Sequence, residues 1–189
     1  MEQSDPTNTA AAIHTVLQAA HFAAIKHAGQ KRKGAAAEPY VNHVLEVAGL
    51  VAGAIAQPDV NLIAAALLHD TIEDTNTTRE ELTAAFGSDV TELVLEVTDD
   101  KTLPDAERKR RQVEHAPHLS VRAQTIKIAD KISNLRGILE SPPADWDRSR
   151  KEVYFLWGKQ VVDGMTAPNP ALRHQFDAVF ERFQELERT

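Results

Sequence analysis

Ala64-Ala65-Ala66-Leu67-Leu68-His69-Asp70-Thr71-Ile72-Glu73-Asp74-Thr75 is the stretch on which the fold turns. The run from Leu62 to Leu68 is apolar on every side, so it reads as a helix buried by its neighbours. It then ends in four ionisable side chains within six residues. Unpaired and buried, such groups cost several kcal/mol each, so they need a metal, a partner or solvent. A solvated helix end rich in acid accounts for the stretch taken alone. Two other places in the chain bear on the choice.

The sequence around this stretch is helical in pattern nearly throughout. Thr9 to Ala28 is alanine-rich and meets Gly29, a C-terminal stop. A basic, irregular segment, Lys31-Arg32-Lys33-Gly34, runs through Ala35–Ala37 to Glu38-Pro39-Tyr40, with room for one short hairpin near Lys33–Glu38. A second apolar helix opens at Asn42 and runs to about Ala56, and Asp59 can cap a third. Thr78 and Glu81 have capping-box spacing, and Gly87 ends that helix. Val90, Leu93, Val94 and Val97 fall at i, i+3, i+4 and i+7, one helical face. Ser120 starts a helix carrying Ile126, Ala129, Ile132 and Leu135, which Pro142-Pro143 breaks. Two last helices are predicted over roughly 144–165 and 170–187, the latter with Leu172, Phe176, Val179, Phe180 and Phe183 as core. The expected fold class is all-α, a multi-helix bundle forming one domain over 1–189 with its core at about 15–165.

His43 opens an otherwise apolar helix in Tyr40-Val41-Asn42-His43-Val44-Leu45-Glu46-Val47. Asp130 lies among apolar helical neighbours in Ile126-Lys127-Ile128-Ala129-Asp130-Lys131-Ile132-Ser133-Asn134. Either residue alone reads as a hydrogen-bonded core residue. Together with His69 and Asp70 they make four candidate ligands on three helices, and helical bundles build metal sites from inward-facing side chains on several helices. Two imidazoles and two carboxylates without a thiolate suit Mn²⁺ or Fe²⁺, with Zn²⁺ and Mg²⁺ open.

The order His…His-Asp…Asp resembles the HD phosphohydrolases. The flanking text is similar to the hydrolase domain of RelA/SpoT enzymes and to the stand-alone small alarmone hydrolases, including their metazoan SpoT-homologue branch. The matching stretches are 27–33, 38–43, 67–75, 97–101, 128–136, 152–157 and 160–162. His-Asp-x-x-Glu-Asp-Thr within these flanks is a specific signature; a bare His-Asp pair is not. The resemblance implies His43, His69, Asp70 and Asp130 as ligands of Mn²⁺, and Glu73 and Asp74 as the pair that orients and activates a water. It implies Arg32, stacked on a base, and Lys33 beside the nucleotide, Asn134 on the ribose or its phosphates, and Tyr154 closing the pocket. The expected reaction is hydrolysis of the 3′-pyrophosphate of (p)ppGpp to GDP or GTP and pyrophosphate. Two departures stand out: Ala35–Ala37 lengthen the loop after Lys33, and Gly137 stands where many long relatives have Thr.

The chain has 189 residues, a net charge of −7 and no cysteine. No cysteine means no disulfide frame and no thiolate-bound zinc, and a reducing cytoplasm fits. The negative charge weighs against a nucleic-acid polymer as partner, but a pocket needs only a few local cations to hold a small nucleotide. No apolar run approaches membrane-spanning length, and Met1–Asp5 lacks the pattern of a signal peptide. No room remains for a synthetase or regulatory domain, so hydrolysis alone is expected; the oligomeric state is open. His14, His21 and His174 read as surface or packing residues, His115 and His118 as solvated, and Glu107–Arg111 as a solvated helix face. Two competitors accompany the alarmone hydrolase: a related HD phosphatase acting on adenine alarmones, NADPH or other nucleotides, and a non-catalytic nucleotide-binding module.

Overall fold

The computed structural model describes residues 6–188; Met1–Asp5, read above as lacking a leader, lie outside the described residues. Its elements are α1 (Pro6–Lys26), α2 (Val41–Ala54), α3 (Val60–Leu68), the short α4 (Thr71–Asp74), α5 (Arg79–Val97), α6 (Asp105–His115), a 3₁₀ turn (Ala116–His118), α7 (Val121–Glu140), α8 (Arg148–Asp163) and α9 (Pro170–Arg188). The all-α expectation holds, and no strand occurs among the described residues. The hairpin considered near Lys33–Glu38 reduces to one antiparallel bridge, Lys31 to Pro39.

Several helix ends follow from single side chains. Asp59 accepts from the Leu62 amide at 2.9 Å, and Ser120 from the Ala123 amide at 3.2 Å. Thr78 accepts from the Glu81 amide at 3.2 Å, but the reciprocal half of the predicted capping box is missing: the Glu81 carboxylate pairs with Lys26 at 2.8 Å. Gly87 breaks α5 with φ 83°, the left-handed region that glycine enters freely. The helix expected from 144 begins later, at Arg148, because Asp147 caps it by accepting from the Arg150 amide at 2.8 Å.

The core explains why the ionisable stretch sits where it does. In α3, Leu62 and Ala64–Leu68 are all buried, packed against α1, α2 and α5. The alanines allow close approach of these helices, and from Leu62 to its end α3 carries no polar side chain before His69. The second central helix, α7, packs on α2, α5 and α9 and is buried continuously from Ala123 to Ser133. Its polar residues there need partners within the protein or the cleft they line. Lys127, Asp130, Lys131 and Asn134 follow i, i+3, i+4 and i+7, a single face turned toward the end of α3. Leu172, Phe176, Val179, Phe180 and Phe183 are buried as predicted, with Phe183 stacked on Phe155 at 3.9 Å between centroids.

Candidate metal centre and nucleotide cleft

Four side chains from three segments meet at one point. His43 comes from the first turn of α2, His69 and Asp70 from the turn joining α3 to α4, and Asp130 from the middle of α7. His69 Nε2 lies 3.1 Å from Asp70 Oδ2 and 3.9 Å from Asp130 Oδ1. His43 Nε2 lies 3.4 Å from each of the same two oxygens. The ligand atoms of His43, His69 and Asp130 all fall within 4.8 Å of one another. All four predicted ligands are thus brought together.

These donors fit a divalent cation. Both Nε2 atoms are buried and have no hydrogen-bond partner. The opposite ring nitrogens are occupied: His69 Nδ1 donates to the Ala66 carbonyl at 2.8 Å, and His43 Nδ1 lies 2.8 Å from Ser133 Oγ. Each ring therefore turns its Nε2 toward the carboxylates, the orientation a metal-binding histidine requires. Burial alone disfavours a charged His69, but Asp70 and Asp130 outweigh it and push its pKa up to about 9. Burial likewise opposes charge on Asp70, yet His69 and His43 hold its carboxyl well below the usual carboxylate range. Asp130 is held low against burial by Lys131, His43 and His69. A proton on His69 stands where a divalent cation would balance the same two carboxylates.

The surrounding bonds fix these candidate ligands. The Tyr40 hydroxyl donates to Asp70 Oδ2 at 2.6 Å, and the Tyr40 ring lies 4.9 Å from the His27 ring. His27 is buried and meets Gln30 Oε1 at 2.8 Å. Gln30 in turn donates to the Asp74 carbonyl at 2.7 Å. Asn134 donates to Asp130 Oδ1 at 2.5 Å, and the buried Lys131 ammonium lies 2.9 Å from Asp130 Oδ2 and 4.5 Å from the Trp157 ring centroid.

Glu73 and Asp74 stand on α4 beside the centre. Glu73 Oε2 accepts from the Asp99 amide at 2.9 Å, while Oε1 lies 3.7 Å from Lys101 and 3.9 Å from Arg108. Burial pushes the Glu73 pKa up, and Asp99 and Asp70 add to it against the Asp99 amide. Asp74 is paired with Lys101. Both carboxylates line a cleft of about 910 Å³ whose floor includes His69, Asp70 and Asp130.

The charge of this cleft is opposite to that of the chain. Nine of the 21 Lys and Arg residues line it against seven of the 28 acids, so the negative charge is carried elsewhere. Both tryptophans and both tyrosines also line it. Tyr154 stands between Trp146 and Trp157, 5.2 Å from each. Lys109 lies over the Tyr154 and Trp157 rings at 5.6 and 5.5 Å. Lys33 is exposed at the rim. Arg32 lies on α7, donating to Ser133 Oγ at 3.2 Å, to the Ser133 carbonyl at 3.3 Å and to Asn134 Oδ1 at 3.1 Å. Gly137 makes room for it: a Cβ there would sit 2.8 Å from Arg32 Nη2. The loop at Ala35–Ala37 is tied to the end of α7, with Ala36 N donating to Ser141 Oγ at 2.8 Å and Ala35 N to the Pro142 carbonyl at 3.2 Å.

The profile described as HD domain matches residues 19–159. The chain belongs to the HD-domain family. Among relatives of this HD protein, guanosine-3′,5′-bis(diphosphate) 3′-pyrophosphohydrolase MESH1 of Xenopus tropicalis is 48% identical over 165 residues, covering 87% of this chain and 92% of the relative. MESH1 of Homo sapiens is 48% identical over 165 residues, covering 85% and 92%. A solved structure described as a metazoan ortholog of SpoT, which hydrolyzes ppGpp and plays a role in starvation responses, superposes with a TM-score of 0.85. It is 42% identical, covering 89% of this chain and 94% of its own.

Lys127 and Lys131, which share the i, i+3, i+4 spacing with Asp130, line the cleft with it. Sequence reading missed other residues of this site. Trp146, Tyr40, Ser133 and Glu46 carry no such periodicity; tertiary packing alone puts them here. Arg136, on the same helix as Asp130, turns away to Glu46 and Gln175 at 3.2 and 3.1 Å. His14, His21, His115, His118 and His174 are exposed, as expected.

Proposed function

We propose that this HD protein hydrolyses the 3′-pyrophosphate of (p)ppGpp, releasing GDP or GTP and pyrophosphate, as one hydrolase domain spanning the chain. The observation that carries the reading is the pair of buried, unpartnered imidazole nitrogens facing two carboxylates, with Glu73 and Asp74 on the same cleft wall. The names of the relatives supply the substrate.

His43, His69, Asp70 and Asp130 would hold one divalent ion, with Mn²⁺ favoured by the mixed nitrogen and oxygen donors. Such an ion supplies a Lewis acid that acidifies water and offsets phosphoryl charge. Glu73 is the general base: burial raises its proton affinity, the direction that favours a proton acceptor. The Asp99 amide fixes Oε2, and Oε1, which faces Lys101 and Arg108, is the oxygen that would meet the water. Asp74, held by Lys101, orients that water. Lys101 and Arg108 are placed to take the charge that develops on the departing pyrophosphate. Arg32 has its donors engaged along α7, which leaves the face of the guanidinium to a purine base; Lys33 meets phosphate at the rim. Asn134 and Tyr154 border the sugar.

The second reading, a related phosphatase acting on adenine alarmones, NADPH or other nucleotides, is favoured by the aromatic wall of Trp146, Tyr154 and Trp157, since stacking selects poorly among bases. A substrate panel of ppGpp, pppApp and NADPH with Mn²⁺ separates them. Pyrophosphate released fastest from ppGpp supports the proposal. Orthophosphate from NADPH, with ppGpp untouched, would establish the alternative. A non-catalytic module predicts no turnover of any of the three.

A further inference from the structure

Ser133 is wholly buried in α7, yet its hydroxyl meets three polar groups, two on α2 and one in the loop before it. His43 Nδ1 lies at 2.8 Å, Glu46 Oε2 at 2.6 Å and Arg32 Nη1 at 3.2 Å. A hydroxyl owns one hydrogen and two lone pairs. Arg32 can only donate and the Glu46 carboxylate only accepts, so the serine hydrogen goes to Glu46. One lone pair serves Arg32, and the other is left for His43, which must donate from Nδ1. The valence of the oxygen is then filled, and the hydrogen on Nδ1 leaves the Nε2 lone pair free toward Asp70 and Asp130.

We propose that Ser133, backed by Glu46, is the positioning residue of the metal centre: it fixes the tautomer and direction of His43 and at the same time seats Arg32 at the base end of the cleft. The inference rests on reading His43 as a metal ligand. The contrast with His69 defines its content. His69 is fixed by the Ala66 carbonyl, an acceptor that cannot reverse. His43 is fixed by a hydroxyl, which acts as an acceptor only while its hydrogen has somewhere else to go. Glu46 provides that place, itself held at 3.2 Å by Arg136, which also reaches Gln175 on α9. With Glu46 removed, the serine turns and donates to Nδ1, the imidazole hydrogen moves to Nε2, and the nitrogen facing the carboxylates is blocked. Outer partners of metal-binding histidines change affinity by about 10–100-fold when removed.

The test uses metal-free full-length chain and Mn²⁺ alone, with affinity read by competition against a chelating dye and folding read by thermal melting. Ser133→Ala should bind Mn²⁺ about tenfold more weakly at a melting temperature close to wild type. Glu46→Ala, at a half-exposed position, should weaken binding in the same direction with Ser133 still present, and it decides the matter if Ser133→Ala does not fold. In the first variant nucleotide binding should weaken as well, because Arg32 loses one of its anchors. Mn²⁺ affinity within twofold of wild type in a folded variant overturns the inference and leaves the hydrolase reading untouched. A wild-type chain that binds no Mn²⁺ overturns both.

Discussion

Protons and metal should compete for the same four side chains, and the structure sets the size of that competition. In the metal-free chain the carboxylates of Asp70 and Asp130 push the His69 pKa up to about 9 against the effect of burial. A divalent ion needs the neutral imidazole, so binding must expel this proton. At neutral pH the group lies about two units below its pKa, and expulsion costs about 2.7 kcal/mol, a factor of roughly 100 in apparent affinity. The sign is fixed: raising the pH removes the competitor and strengthens binding, about tenfold per unit up to about pH 9 and no further. Titration calorimetry of metal-free protein with Mn²⁺, between roughly pH 6 and 8.5 and in two buffers of different ionisation enthalpy, reads both quantities. The expected result is close to one proton released per ion near neutrality. An affinity flat across this range, with no buffer-dependent heat, would refute the argument that His69 is a ligand held protonated by its neighbours.

The remaining predictions concern catalysis, the cleft and stability. Glu73→Gln and Asp74→Asn should each lower kcat by about 10²–10⁴-fold, the usual worth of a positioned acid–base group, while bound metal, measured by elemental analysis, stays at the wild-type level. Gly137→Thr puts a Cβ 2.8 Å from Arg32 Nη2, so Arg32 must leave its seat; KM for the nucleotide should rise several-fold by steady-state kinetics with little change in metal content. The metal-free protein should also lose stability on both sides of a mid-pH window. His69, raised to about 9 from an unfolded value near 6.5, contributes up to about 3 kcal/mol that is present below pH 6.5 and lost as pH climbs through about 9. Asp70 and Asp130, held low, contribute above the normal carboxylate range and lose that contribution in acid. Urea unfolding at a series of pH values, with chelator present, checks both limbs.

How far the sequence carried the reading depended on whether a residue's role was local. Asp59 and Ser120 cap helices through side chains three residues from the amides they satisfy, so both were readable in the text. His43 and Asp130 were visible as isolated polar residues in apolar helices, and the His69–Asp74 stretch as charge at the end of a buried one. Glu81 was misread as half of a capping box because its carboxylate is captured by Lys26, 55 positions away. The start of α8 was placed too early because the proline pair that ends α7 does not mark the next cap, which Asp147 supplies. Tyr40, Glu46 and Ser133 escaped notice for the same reason: each acts across the fold on a partner 30 to 90 positions distant.

The convergence of His43, His69, Asp70 and Asp130 on one cation is the claim everything else depends on, and metal stoichiometry tests it most directly. Purified chain loaded with Mn²⁺ and freed of excess should hold one ion per molecule, and Asp130→Asn or His43→Ala should hold close to none while remaining folded by circular dichroism. Full metal content in either variant, or none in the wild type, would contradict the account.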